Sequence, residues 1–182
     1  MRCWADTDLV KLALVGTIRV AMAEDWPPLQ AIEVAAGERF REIGMDEIAD
    51  ADPPAVDDLR AAAAVLVAVG DDGAPIGYAR LELVDGHAHL EQLSVVPGHG
   101  GRGVGTDLLD AAARWALERG DREITLTTFR DVPFNAPLYE RRGFAVLPEA
   151  AWTDGLRALV AEETGHGLDP TARVVMRRDL AQ

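Results

Sequence analysis

Pro97-Gly98-His99-Gly100-Gly101-Arg102-Gly103-Val104-Gly105-Thr106 is the stretch on which the fold turns. Half of its residues are glycine, so the backbone can bend sharply and approach a ligand with no Cβ in between. A strand is expected before it, over residues 87–96. A long helix is expected after it, ending near Arg119, with Gly120 where a helix-terminating glycine belongs. The first amides of such a helix lack intrahelical acceptors and carry partial positive charge. A phosphate or pyrophosphate is their natural occupant, and Arg102 would add a cation. No Lys-Ser/Thr pair follows, so this is not a Walker A loop. It follows hairpins rather than sitting inside a parallel βαβ unit, which fits a Rossmann fingerprint poorly. A flexible connection that merely turns the chain is the competing reading.

Outward from the loop, the pattern is that of an α/β chain. Residues 64–70 and 75–84 read as strands joined by Asp71-Asp72-Gly73, and Asp85-Gly86 turns the chain into the strand over 87–96. Alternation over 17–23 predicts a first strand, with Ile18, Val20 and Met22 on one side. Asp25 is placed to cap a helix opening at Pro27-Pro28, whose apolar face carries Leu29, Ile32, Ala35 and Ala36. A second helix is expected around 37–43. Residues 45–58 are acidic and read as a surface loop, and a short helix follows over 57–63. Beyond the long helix come a strand over 123–129, a short helix over 135–142, a strand from 143, a helix near 151–163 and a last strand from 173. The fold class is α/β: a mixed, mostly antiparallel sheet flanked by helices.

The chain has 182 residues, which suits one domain. Residues 1–16 do not join the pattern and are read as an N-terminal extension to a domain over 17–182. The formal charge of −13 argues against nucleic acid and against anionic lipid, and it favours cationic partners. The single cysteine, Cys3, excludes a disulfide framework and any multi-cysteine metal site; no metal is expected. No apolar run is long enough to span a membrane, and Lys11 and Arg19 interrupt any leader-like segment. A cytoplasmic protein is expected.

Two separated motifs carry a resemblance. Leu93-Ser94-Val95-Val96-Pro97 followed by Gly103-Val104-Gly105 resembles the acetyl-CoA signature Q/R-x-x-G-x-G/A of the GNAT N-acyltransferase superfamily. Gly100 stands where that signature has Gln or Arg. Asn135-Ala136-Pro137-Leu138-Tyr139, with Arg142-Gly143-Phe144, is similar to the family's N-x-x-x-Y…G-F segment. The resemblance covers roughly 17–147.

It implies a GNAT-like fold in which two parallel strands, here 87–96 and 123–129, splay apart to hold acetyl-CoA as the acyl-donor cosubstrate. Leu93 would turn its N–H to the thioester carbonyl and Val95 would bond the pantetheine. The amides of Gly100, Gly101, Arg102, Gly103, Val104, Gly105 and Thr106 would take the pyrophosphate. Asn135 would bind the cofactor's amide region. Tyr139 would protonate the leaving thiolate, although alone it reads as a core aromatic and Asn135 as an N-cap. Strand alternation puts His87, His89 and Glu91 on one face, and His89-Leu90-Glu91 is similar to the His-x-His of arylalkylamine N-acetyltransferases. Either Glu91 or His89 would serve as base for the acceptor amine.

The resemblance assigns the acceptor pocket to Trp26, Phe40, Met45, residues 46–50, Phe129, Arg130, Asp131 and Phe134. It implies direct transfer to a primary amine, small or cationic or at a peptide end. Alternatives are a non-catalytic CoA-binding sensor or interaction module, and transfer of a larger acyl group. Relatives that pair do so through C-terminal strands. Leu156, Leu159, Val160, Val174, Val175 and Met176 would serve such a homodimer or pack on their own sheet.

Overall fold

The computed structural model describes residues 17–165, 168–169 and 172–180. The extension over 1–16, Cys3 within it and His166 lie outside these residues.

One sheet organises the molecule. Its strands are β1 (Ile18–Val20), β2 (Ala64–Val69), β3 (Pro75–Val84), β4 (His87–Val95), β5 (Glu123–Phe129), β6 (Ala145–Val146) and β7 (Arg173–Asp179). Their order across the sheet is β1-β2-β3-β4-β5-β7-β6. Every neighbouring pair is antiparallel except β4 and β5. The glycine-rich loop and the helix after it therefore do cross inside a parallel βαβ unit, contrary to the expectation from the preceding hairpins. The expected fold class is what forms. The turn between β3 and β4 has positive φ at both residues, 52° at Asp85 and 83° at Gly86, the geometry that matches strand twist in a two-residue hairpin.

The helices are α1 (Trp26–Arg41), α2 (Asp46–Ala49), α3 (Val56–Ala61), α4 (Val104–Arg119), α5 (Ala136–Glu140) and α6 (Asp154–Gly165). Helix α4 covers one face, burying Leu108, Leu109, Ala112 and Ala116 against Leu66, Ala79, Leu81, Leu90 and Leu126. On the opposite face α1 and α3 bury Leu29, Ile32 and Leu59 against Val65, Val67 and Tyr78. Leu156 of α6 packs with Val175 and Leu147. Leu156, Val174, Val175 and Met176 are therefore core residues of this chain.

Three local expectations are corrected. The helix expected over 37–43 is not separate, because α1 runs unbroken to Arg41. Gly37 does not end it; the backbone of Ala49 lies against that position, 3.6 Å from where a Cβ would sit. The acidic loop is not free either. Arg41 bonds Glu38, Asp46 and Asp50, which holds α2 against α1. Asp25 does not cap α1 through its side chain. Its carboxylate accepts from Arg19 at 2.6 and 2.9 Å and from the Met22 amide at 2.6 Å. Arg19 holds this buried acid below the usual carboxylate range.

Candidate active site

The β4–β5 ladder has only two register pairs, His89↔Thr125 and Leu90↔Leu126. Beyond Leu90 the parallel strands part. On the β3 side of β4, the Val96 amide donates to Ile76 at 2.9 Å. Successive residues of a strand direct their amides to opposite edges, so those of Val95 and Leu93 point into the opening.

A bulge marks where the opening begins. Arg80 faces Gln92 while Leu81 faces Leu90, so Glu91 is an extra residue on β4. Simple alternation, expected through His87, His89 and Glu91, breaks here. Ahead of the bulge Ala88 and Leu90 pack in the core under α4; past it, Leu93 and Val95 do. Gln92 and Ser94 join His89 on the face toward α1.

The opening widens into a cleft of about 980 Å³. One wall is the glycine-rich loop. The Gly100 amide is engaged, donating to Pro97 at 3.1 Å. From Gly101 to Thr106 the amides have no acceptor among the described residues, and Asp107 resumes the pattern by donating to Gly103 at 2.9 Å. Left-handed φ angles of 73° at Gly101 and 95° at Gly103 curl the loop into α4. Gly100, Gly101, Gly103, Gly105 and Thr106 line the cleft, as do Leu93 and Val95. The Val104 side chain is buried in the core, leaving only its amide available, and Arg102 is exposed away from the lining.

Tyr139 of α5 and Asn135, the residue before that helix, line the cleft. The Tyr139 ring packs edge-on to Phe144 at 5.7 Å, and burial pushes its phenol up to about 12. Asn135 sits at the N-cap position without capping through its side chain.

Glu91 lines the same cleft, with His89 beside it. His89 is fully buried. His89 Nδ1 shares a hydrogen bond of 2.8 Å with the Thr125 hydroxyl, which also lies 3.5 Å from the Ala88 carbonyl. Nε2 has no hydrogen-bond partner within bonding distance and lies 3.8 Å from Glu91 Oε2. Burial, reinforced by Arg173, lowers the imidazole pKa to about 4, so the ring is neutral near pH 7. Burial also raises the Glu91 carboxyl; Glu163 and Glu82 add to this while Arg80 and Arg173 oppose it. His87 stands apart, against Asp121 at 3.3 Å, and takes no part in the cleft.

Of the expected pocket residues, Phe40, Phe129 and Phe134 meet in the cleft, with ring centroids 5.8 and 5.2 Å from Phe40. Trp26 packs with the α1 core instead, and Met45, Arg130 and Asp131 are not part of the lining. Two features went unread in the sequence. Glu33 of α1 accepts from Tyr78 at 2.7 Å, Gln92 at 2.7 Å and Ser94 at 2.6 Å, tying α1 to β3 and β4 beside the opening. Its signal was an acid four residues after buried Leu29. Arg173, Glu163 and Thr127 also line the cleft; nothing in their spacing marked them.

Residues 20–144 match the model of the Acetyltransferase (GNAT) family. Over 84 residues, 43% of this chain, the sequence is 39% identical to streptothricin acetyltransferase of Streptomyces lavendulae. That match spans 43% of the relative, less than half its length. The structure is similar to a GNAT-family acetyltransferase from Staphylococcus aureus Mu50, with a TM-score of 0.68, 15% identity, and coverage of 91% of this chain and 99% of the other. It is also similar to the PaiA N-acetyltransferase of Thermoplasma acidophilum in complex with coenzyme A, with a TM-score of 0.59, 19% identity, and coverage of 90% and 98%. At these identities the structural likenesses speak for the fold.

Proposed function

The chain belongs to the GNAT acetyltransferase family, and from that premise we propose that it moves the acetyl group of acetyl-CoA directly to a primary amine. The observation that carries this reading is the conjunction of the strand opening past Leu90 with six unpartnered amides at the head of α4. A pantetheine chain carries amides that can pair along β4, and the diphosphate suits the loop. In this reading Val95 bonds the pantetheine and the Leu93 amide receives the developing oxyanion. Gly101 to Thr106 grip the diphosphate. Gly100 contributes close backbone approach rather than its engaged amide, and the Asn135 side chain is free for the cosubstrate.

Glu91 is the base. It lines the cleft, whereas His89 is buried behind it, neutral, with Nε2 directed at its carboxylate. Nitrogen attacks the thioester carbon, the C–N bond forms and the C–S bond breaks. Two protons leave nitrogen in all. One departs through Glu91 to solvent; Tyr139 gives its own to the thiolate and regains the other. A phenol held near 12 stays protonated until the thiolate leaves.

No helix among the described residues is long and apolar enough to cross a membrane. We further propose that the protein is cytoplasmic.

The test combines binding and turnover. Acetyl-CoA at a hundred times Kd should stabilise the fold by about 2.7 kcal/mol. Tyr139→Phe should lower kcat by roughly 10²-fold or more without lowering the melting temperature. Glu91→Gln should lower kcat/KM and erase its acid limb, which in the wild type lies above the ordinary carboxylate range. Turnover unchanged in both variants would refute the assignments. Tight binding with no turnover on any amine would favour the sensor reading.

A further inference from the structure

Thr127, Glu163 and Arg173 come from β5, α6 and β7 and close on one another at the floor of the cleft. Both Glu163 oxygens accept from Arg173, from Nε at 3.0 Å and from Nη2 at 2.8 Å. Nη2 also donates to Thr127 Oγ1 at 3.0 Å, and the Thr127 hydroxyl donates to Glu163. The guanidinium lies 4.9 Å from the Phe129 ring centroid, and the side chain is 13% exposed. Four contacts to two neighbouring elements, α6 and β5, hold it rigid on β7. Among the described residues, no hydrogen bond of Arg173 uses Nη1. Two N–H donors of a fixed cation thus remain on a side chain that lines the cleft.

Glu91 lines the same cleft, and Arg173 is near enough to pull its carboxyl toward the ionised form. Near them stand Phe40, Phe129 and Phe134. A simple alkylamine would use Glu91 alone and leave the guanidinium edge unmatched. An acceptor with ammonium and carboxylate on one carbon uses both.

Resting on the acetyl-transfer reading, we propose that the acceptor is an α-amino acid with an apolar side chain: ammonium on Glu91, carboxylate on Nη1 of Arg173, side chain against the three phenylalanines. The product is the N-acetylamino acid, formed with free thiol and one released proton.

Thiol release is followed with leucine, methionine and phenylalanine, with their carboxamides, and with the amines left when the carboxylate is removed. Each amino acid should exceed its amine in kcat/KM by about tenfold or more, because a charged donor would go unpaired with the amine. In Arg173→Lys that ratio should collapse toward one through a rise in KM for the amino acid. Since Arg173 joins three elements, Glu163→Gln is the second variant. It keeps the guanidinium, so the preference should survive even where the melting temperature falls. Amines equal to their amino acids would overturn the proposal, and so would no turnover on any compound while acetyl-CoA still raises the melting temperature. If acetyl-CoA produces no such rise, the acetyl-transfer reading itself falls and takes this proposal with it.

Discussion

His89 sits without solvent contact, its Nδ1 on Thr125 and its Nε2 turned toward Glu91. With a folded pKa of about 4 against an ordinary value near ~6.5, the unfolded chain binds more protons between those limits. The contribution of the neutral ring is therefore complete above the upper limit and lost as pH falls toward the lower one. Glu91 works in the opposite direction. Its raised folded value means that stability is lost as pH rises through it. Comparing the two proteins separates these effects: urea midpoints of His89→Gln should change less than those of the wild type as pH falls from about 6.5 to 4. Parallel curves would mean that the buried ring does not govern acid sensitivity. Residue chemistry of this kind was half legible. The histidine and its acidic neighbour were visible as a pair, whereas the burial that neutralises one of them depends on residues far along the chain, such as Thr125 on β5.

Helix α4 and its entrance loop offer a contrast between two glycines. Gly103 has a φ of 95°, where a Cβ costs about 1–2 kcal/mol. Gly105 is not left-handed, and a Cβ there would rest 3.8 Å from Val95 Cγ2, an ordinary contact. Gly103→Ala should lower stability and raise KM for acetyl-CoA, while Gly105→Ala should leave the urea midpoint nearly unchanged. Equal effects would show that loop conformation is not what the pair encodes. Elements written in local chemistry were readable in advance: the Asp85-Gly86 turn, the glycine after α4, the strand over 123–129. What was hidden depends on distant chain. Helix α1 passes Gly37 because α2 rides against it, and the bulge at Glu91 exists only in register with β3. Because of the same bulge, alternation counted from His87 and His89 cannot be carried on past Glu91.

At the scale of the molecule, the charge of −13 opposes approach of an anionic cosubstrate. Screening shortens that repulsion to about 10 Å at 0.1 M salt. The association rate of acetyl-CoA should therefore rise, by about two- to threefold, between very low and physiological ionic strength. A falling rate would mean that the loop's local field outweighs the net charge. The two-rung ladder between β4 and β5 has a mechanical consequence. It leaves the sheet as two panels, β1 to β4 and β5 with β7 and β6, sharing a short seam. A guest lying along that seam rivets the panels together, so deuterium uptake should slow in both strands at once, at Leu93 beside the guest and at Leu126 behind it.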